Sequence, residues 1–194
     1  LIYSSDPFIA VRAGWGSGKT SALVFALWTW SKLHPNKSSL LVTDTTPRYR
    51  SVLGPELEKW LVPYGWQYHQ QDGKWQAPNG HIVWTRSYFR PGTRDATHNP
   101  LEGLNITSGL ALIDECQTLS EEVAQKTLGR LRSGPSPKLI MVGLPVWDAW
   151  WIAFAERANC QPILHSSHVN KANLSDAWFE AVKNLPEIER LAMV

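Results

Sequence analysis

The chain has 194 residues, 43% of them hydrophobic and 19% charged, which excludes a disordered polypeptide and indicates a globular domain. Its net charge of +2 excludes a strong overall field for nucleic acid, so a DNA partner would need a local basic patch. Cys116 and Cys160 fall in no metal-ligand spacing, so we expect a reduced, intracellular protein without zinc or disulfides. We find no apolar run of membrane-spanning length and no signal peptide, and we expect no membrane partner. Because the chain begins at Leu1, we expect a piece of a longer protein.

Short apolar runs alternate with helical patterns along the chain. Leu23, Leu27 and Trp30 recur at helical spacing in a stretch without Gly or Pro, and the other helices are predicted in the same way. In chain order we predict a strand at 8–11, a helix at 19–33, a strand at 40–42, a helix at 47–61 that Gly54-Pro55 kinks or splits, a small β elaboration at 64–88, a loop at 89–105, a strand at 110–113, a helix at 120–131, a strand at 139–142, a helix at 147–158, a strand at 162–165 and a helix at 175–185.

This alternation predicts an α/β fold, a three-layer sandwich whose mainly parallel central sheet is covered by helices on both faces. Ligands of such sheets bind beyond the carboxyl ends of the strands. We therefore expect Ala13, Asp114 and Gly143, which end three of the predicted strands, to face one crevice.

The glycine-rich segment 13–20 matches the phosphate-binding P-loop pattern, with Ala13 in place of the first glycine. Glycines let the backbone turn its N–H groups toward a polyphosphate, and the helix that opens at Lys19 adds its own free N–H groups. Lys19 would reach the β and γ phosphates, and Thr20 would offer its hydroxyl to Mg²⁺. Arg12 precedes the loop and could act on the same nucleotide. The predicted ATP-binding residues are Arg12, Ala13, Gly14, Trp15, Gly16, Ser17, Gly18, Lys19 and Thr20.

Asp114 and Glu115 follow the apolar strand at 110–113. In P-loop ATPases an aspartate at this place holds Mg²⁺ through water, and a neighbouring glutamate can orient and polarise the attacking water. Acidic residues at the end of a strand are also common on protein surfaces. The pair indicates an ATPase site only in combination with the P-loop upstream. We predict a Mg²⁺-dependent ATPase with Thr20 and Asp114 at the metal and Glu115 and Lys19 in catalysis.

These segments together resemble the ATPase domain of the large terminase subunit, the DNA-packaging motor of tailed viruses. The resemblance covers nearly the whole chain and lies in 11–20, 79–83, 112–115, 143–145 and the exit segment 170–191. It implies a P-loop NTPase fold of the ASCE, RecA-like type. It also implies a glutamine upstream of the P-loop that contacts adenine, and residues 1–12 contain no glutamine.

The resemblance further implies an ATP-driven translocase that moves double-stranded DNA into a procapsid. Such a motor would be a homo-oligomeric ring at the portal protein, assisted by a small terminase subunit, in the host cell cytoplasm. An RNase H-like nuclease domain would follow the ATPase domain. Because no other carboxylates cluster here, we expect residues 1–194 to be a single ATPase domain without the nuclease. Gly143-Leu144-Pro145 stands where the family has its coupling motif, with Leu144 in place of the usual hydroxyl residue, and a simple strand-ending turn is an equal alternative.

The resemblance also implies an arginine finger supplied by a neighbouring subunit. We favour Arg94, because it lies in a Gly- and Pro-flanked loop from which a side chain could cross a subunit boundary. The other candidates are Arg12, Arg90 and Arg130. Arginines interleaved with aromatic residues could also contact DNA, although a solvated surface is the alternative. These residues are Arg86, Tyr88, Phe89, Arg90 and Arg94.

Two other functions are compatible with the motifs. A superfamily 1 or 2 helicase-like DNA translocase shares the P-loop and the acidic pair, but it would normally bring a second RecA-like domain. A nucleotide-dependent switch or scaffold protein would bind ATP with little turnover, and Lys19, Thr20, Asp114 and Glu115 argue against it. Turnover with and without DNA, together with strand separation, distinguishes the three.

Overall fold

The apolar runs of the sequence form one eight-stranded sheet. A computed structural model of the chain describes residues 1–89, 99–134, 136–146, 149–185 and 187. The strands are β1 Phe8–Ala13, β2 Ser38–Thr45, β3 Gln67–His69, β4 Lys74–Gln76, β5 Ile82–Phe89, β6 Leu110–Ile113, β7 Lys138–Gly143 and β8 Ile163–His165. Their spatial order is β3-β4-β5-β2-β6-β7-β1-β8.

Most neighbouring strands of this sheet are parallel. Among the described residues, the pairs β5/β2, β2/β6, β6/β7, β7/β1 and β1/β8 are parallel, and the pairs β3/β4 and β4/β5 are antiparallel. The predicted mainly parallel sheet is thereby confirmed. The predicted β elaboration at 64–88 is formed by β3, β4 and β5, and its last strand β5 pairs with β2 from Ser38↔Ile82 to Thr45↔Phe89 and so extends the central sheet.

Helices cover both faces of the sheet. They are α1 Lys19–Leu33, α2 Thr46–Arg48, α3 Gly54–Leu61, α4 Glu121–Leu128, α5 Trp150–Glu156 and α6 Asp176–Lys183, with a π-helical segment at Tyr49–Leu53 between α2 and α3. Helix α4 ends before Gly129, three residues earlier than the sequence pattern suggested. Of the predicted helix at 147–158, residues 147 and 148 lie outside the described residues.

Two apolar cores show why the architecture has three layers. Successive side chains of a strand point to opposite faces. On β1, Ile9 and Val11 pack in a core with Leu23 and Leu27 of α1, whereas Ala10 belongs to the opposite core. That second core contains Trp151 of α5 and also residues of α4. The parallel strands are therefore buried on both faces, which explains their continuous apolar sequence.

The helical run 46–61 is continuous, and it contains a π turn that ends immediately before Gly54-Pro55. The N–H of Gly54 donates to the carbonyl of Tyr49, five residues back. Pro55 has no N–H to donate and cannot continue an ordinary α-helical ladder from Ser51, so the wider turn accommodates it. The turn sets the position of the preceding residue, Arg48, which lies shortly after the carboxyl end of β2.

None of the helices in the described ranges is long and apolar enough to cross a membrane.

Candidate nucleotide site

The carboxyl ends of β6, β7 and β1 lie side by side at one edge of the sheet. Their parallel pairing brings Ala13, Asp114 and Gly143 to this edge, as the sequence predicted. A cavity of about 530 Å³ opens here. It is lined by Trp15, Gly16, Gly18, Lys19, Thr20, Ser21, Arg48, Val52, Glu56, Glu115, Gln117, Leu144 and Asn170.

A larger cavity of about 720 Å³ lies elsewhere, between α3, the β3/β4 hairpin and β5. Its described lining includes Glu58 and Arg86 but neither the glycine-rich loop nor the strand-end acidic pair. Chemistry rather than size therefore identifies the smaller cavity as the candidate site.

The loop 13–20 contains two glycines in a backbone conformation that other residues rarely adopt. Gly16 and Gly18 have φ of 67° and 88°, a left-handed conformation that strains other residues. Gly18 immediately precedes α1, so the first N–H groups of that helix open toward the loop. The Lys19 Nζ donates to the Gly14 carbonyl across the loop at 2.8 Å. Burial lowers the pKa of Lys19, and the charges of Glu115 and Asp114 oppose that shift.

Two hydroxyl groups of this loop, one of a serine and one of a threonine, are candidates for phosphate or metal contacts. The Ser17 Oγ is buried and has no hydrogen-bond partner in the described structure, an arrangement that is costly for a hydroxyl unless a ligand satisfies it. Thr20 is half-buried in the first turn of α1 and lines the cavity.

The segment after β8 braces the loop, and its Asn170 also lines the cavity. The Ser167 Oγ donates to the Trp15 carbonyl, and the Asn170 Nδ2 donates to the Gly16 carbonyl. The Leu174 side chain lies so close to Gly16 that an added Cβ there would be 2.9 Å from its Cδ2. Sequence reasoning noted this exit segment but did not connect it to the phosphate loop, because the contacts span about 150 residues of chain.

Asp114 is almost fully buried at the end of β6. Its Oδ1 accepts a hydrogen bond from the Glu115 N–H at 3.0 Å. Burial, and then the nearby charge of Glu115, raise the pKa of Asp114 to about 7. A buried carboxylate of this kind is stabilised when a cation approaches it.

Glu115 has an unusual backbone conformation and two side-chain partners. Its φ of 57° is left-handed, which costs about 1–2 kcal/mol for a residue with a Cβ. The Arg48 Nη2 lies 2.7 Å from Glu115 Oε1, and the Gln117 Nε2 donates to Glu115 Oε2. Both carboxylate oxygens are thus held by side chains that the sequence analysis did not single out.

Gln117 joins the acidic pair to the end of β7. While its Nε2 donates to Glu115, its Oε1 accepts a hydrogen bond from the Leu144 N–H at 3.1 Å. The segment Gly143-Leu144-Pro145 is therefore in contact with the predicted catalytic glutamate through one side chain. Gln117 follows Asp114 by three residues, and this short spacing was the signal in the sequence that could have placed it near the acidic pair.

The remaining predicted arginines are scattered. Arg12 is half-buried on β1 and is not among the residues that line the cavity, so its contact with a nucleotide stays a prediction. Arg130 lies in the turn after α4 rather than within that helix. Arg90 and Arg94 lie outside the described residues, and the finger stays a prediction. Arg86 donates to the Gly73 carbonyl at 3.0 Å and stabilises the hairpin.

The donor set fits a hydrated Mg²⁺. Thr20 provides a hydroxyl and Asp114 a buried carboxylate, and Mg²⁺ typically keeps several waters beside one or two protein oxygens. Within the described ranges, no group of three or more His, Cys, Asp or Glu side chains could hold a metal ion. Cys116 and Cys160 are buried free thiols.

Comparison with known proteins gives structural matches only. No family model matches the sequence, and no curated protein does. Large terminase from the thermophilic bacteriophage D6E matches with a TM-score of 0.77 and 13% identity over 98% of this chain. The same terminase in complex with ATP-gamma-S matches with a TM-score of 0.74 and 16% identity over 95% of this chain. The chain spans about half of these proteins, 48% and 46% of their lengths.

The large terminase ATPase domain of Thermus phage P74-26 matches over a greater share of its own length. Its TM-score is 0.71 and its identity 12%, and the match covers 98% of this chain and 88% of that domain. The chain therefore has the fold of phage large terminase ATPase domains, a P-loop NTPase fold, which confirms the predicted fold class.

Proposed function

We propose that this chain is the ATP-hydrolysing motor domain of a large terminase, which powers translocation of double-stranded DNA into a procapsid. One observation carries the proposal: P-loop residues and Glu115 of the acidic pair, about 95 residues apart in sequence, line one cavity on the carboxyl edge of a parallel sheet, and the buried Asp114 directly precedes Glu115. The shared fold with terminase ATPase domains, one of them bound to ATP-gamma-S, supports it.

The proposal assigns a role to each motif residue at the site. The N–H groups of the loop and the ammonium of Lys19 bind the phosphates, and Lys19 leaves its bond to the Gly14 carbonyl to do so. Thr20 and Asp114 hold Mg²⁺, which when bound neutralises charge on the phosphates. Glu115 orients the attacking water and accepts its proton. The reaction is hydrolysis of ATP to ADP and phosphate.

Gln117 gives the proposal a route from chemistry to movement. Because it contacts both Glu115 and the Leu144 N–H, a shift of the glutamate changes the hydrogen bonding of the segment that follows β7. We propose that Gly143-Leu144-Pro145 acts as the coupling motif through this contact. Leu144 stands where the family usually has a hydroxyl residue, so the group that contacts Gln117 here is the backbone N–H.

The partners follow from the proposed function. They are double-stranded DNA, further copies of the chain in a ring, the portal protein and a small terminase subunit, in the cytoplasm of the host cell. An arginine finger from the neighbouring copy, with Arg94 as candidate, would complete the site. Mixing Arg94→Ala with Lys19→Ala chains tests it, because mixed rings contain sites with an intact P-loop and an intact finger, and activity should then recover.

The decisive experiment is steady-state ATP hydrolysis with and without double-stranded DNA, combined with a strand-separation assay. We expect Mg²⁺-dependent turnover, stimulated by duplex DNA, without strand separation. Unwinding would instead favour the helicase-like translocase, and nucleotide binding without turnover would favour the switch protein. The exposed Lys37→Ala is a control that should behave as the wild type.

A further inference from the structure

The backbone of Glu115 is held in its left-handed conformation by the short helical turn that follows it. Its φ is 57°, and conformations of this kind persist only where the surrounding structure fixes them. The turn 116–119 begins directly after Glu115, and Thr118 donates to the Glu115 carbonyl with its N–H at 2.9 Å and with its Oγ1 at 2.8 Å. Gln117, which donates to the Glu115 carboxylate, belongs to the same turn. The direction of this carboxylate therefore depends on the turn 116–119.

One indole N–H from another part of the chain closes this turn. The Trp150 Nε1 donates to the Cys116 carbonyl at 2.9 Å and to the Leu119 carbonyl at 2.8 Å. These two carbonyls stand at the two ends of the turn, so a single donor spans it. Cys116 and Leu119 are both buried, and the half-buried Trp150 ring packs against the core that contains them. Since a buried carbonyl that loses its donor is costly, this N–H favours the observed shape of the turn.

Helix α5, which begins at Trp150, is fixed near both of its ends. Its second residue, Trp151, is fully buried, and a Cβ added to the glycine that ends β7 would lie 2.6 Å from the Trp151 Cζ2. Directly after the helix, the Arg157 Nη2 lies 2.6 Å from Oε1 of Glu121, the first residue of α4. The Trp150 indole is therefore presented to the turn 116–119 by a helix whose own position is fixed.

From these contacts we propose that Trp150 is a positioning residue for hydrolysis, which aims the Glu115 carboxylate by closing the turn that follows it. The proposal rests on the proposed function, in which Glu115 accepts a proton from the attacking water. A general base works only within hydrogen-bond reach of that proton, and a displacement of about 1 Å can cost about a hundredfold in rate. Without the indole N–H, the Leu119 carbonyl loses its donor, the turn opens and the backbone of Glu115 relaxes. The carboxylate then leaves the direction that the attacking water requires.

The indole contact lies outside the nucleotide cavity. Neither Trp150 nor Cys116 nor Leu119 is among the described residues that line this cavity. An effect of Trp150 on the reaction must therefore pass through the turn and Glu115, whereas the residues that bind the phosphates stay in place. This arrangement predicts a loss of hydrolysis with nucleotide binding preserved.

Trp150→Phe tests the proposal, because it keeps an aromatic ring and removes the N–H. With the enzyme in excess over radiolabelled ATP and with Mg²⁺ present, we expect the single-turnover rate of hydrolysis to fall about tenfold to a hundredfold. The affinity for ATP-gamma-S with Mg²⁺, measured by calorimetry, should stay within about twofold of the wild type. Trp84→Phe is the matched control, since Trp84 on β5 is also half-buried and packs against the same core. It should bind and hydrolyse nucleotide like the wild type.

A double-mutant cycle with Glu115→Gln separates positioning from a general loss of packing. If Trp150 acts through the Glu115 carboxylate, adding Trp150→Phe to Glu115→Gln should slow the residual hydrolysis by less than about twofold, because the group that is positioned has already been removed. A full additional loss in the double variant, an equal fall in ATP-gamma-S affinity, or an unchanged rate in Trp150→Phe would overturn the positioning role. A wild type that binds ATP without hydrolysing it would instead contradict the proposed function, and the positioning role with it.

Discussion

The two walls of the cavity are built by different means. The phosphate loop is a contiguous segment whose shape is a backbone property, set by the positive φ of Gly16 and Gly18 and by the helix that begins at its end. The acidic wall depends on groups from three separate parts of the chain: the side chains of Arg48 after β2 and Glu115 after β6, and the backbone N–H of Leu144 after β7. Substitutions in the loop should therefore act through the phosphates, whereas those in the acidic pair should divide between Mg²⁺ binding at Asp114 and hydrolysis at Glu115.

The largest effect is expected for Lys19→Ala. Removing the only charge that the phosphate loop supplies should reduce ATP turnover by at least about a hundredfold, the range seen when a single electrostatic donor is removed. The side chain ends in the cavity and not in the core, so the melting temperature should change little. Turnover and thermal melting are compared with the wild type and with Lys37→Ala. Unchanged turnover would contradict the assignment of the phosphate loop.

The second prediction concerns Asp114→Asn. Loss of the carboxylate should remove most of the Mg²⁺-dependent part of ATP affinity, measured with and without the metal. Asp176→Asn, an exposed aspartate in the first turn of α6, is the control and should leave the Mg²⁺ dependence unchanged. A variant that keeps the full Mg²⁺ dependence would show that Asp114 is not at the metal.

The same carboxyl group predicts a pH dependence of stability. Burial raises its pKa to about 7, above the value of about 3.9 in an unfolded chain, so the folded protein holds a proton that the unfolded chain releases between these pH values. This contribution to stability is full below about pH 4 and is lost as the pH rises through about 7. Without nucleotide, the melting temperature of Asp114→Asn should therefore lie a few degrees above that of the wild type at pH 8. This difference in melting temperature should shrink as the pH is lowered toward 4.

A smaller effect is expected for Gln117→Ala. The variant leaves the Leu144 N–H without its acceptor and Glu115 without one of its two partners, so turnover should fall about tenfold while nucleotide affinity is kept. Stimulation by DNA should fall by more than basal turnover, because the contact joins the glutamate to the segment after β7. Gln76→Ala, at an exposed position on β4, is the control. Equal losses of DNA-stimulated and basal turnover would show that Gly143-Leu144-Pro145 does not take part in coupling.

The smallest effect should come from the hydrogen bond by which Asn170 braces the phosphate loop. Asn170→Ala removes the bond to the Gly16 carbonyl at an exposed site, and a neutral hydrogen bond of this kind contributes about 0.5–1.5 kcal/mol. ATP affinity should weaken a few-fold, with turnover at saturation unchanged. Asn184→Ala on the exit helix should not change affinity. A loss of saturated turnover in Asn170→Ala would mean that the brace acts beyond binding.

The difference between the two walls also explains how much the sequence could predict. The strands and helices carry local periodicity, and the P-loop carries its own glycine spacing, so the sheet, α1 and the convergence of Ala13, Asp114 and Gly143 were predictable. Arg48 was not, because its position depends on a π turn caused by Pro55 and on the pairing of β2 with β6. The pairing of β5 with β2 was missed because short runs do not reveal which strands become neighbours.

The central claim is that the P-loop and the acidic pair form one hydrolytic site, and a single-turnover measurement on Glu115→Gln tests it most directly. In two separate reactions, the variant or the wild type is mixed with radiolabelled ATP and Mg²⁺ at an enzyme concentration above that of ATP. The bound nucleotide is then identified as ATP or ADP over time. We predict that the wild type converts bound ATP to ADP, whereas Glu115→Gln retains it as ATP at least about a hundredfold longer, since a general base contributes about that much. Conversion at the wild-type rate in Glu115→Gln would contradict the account.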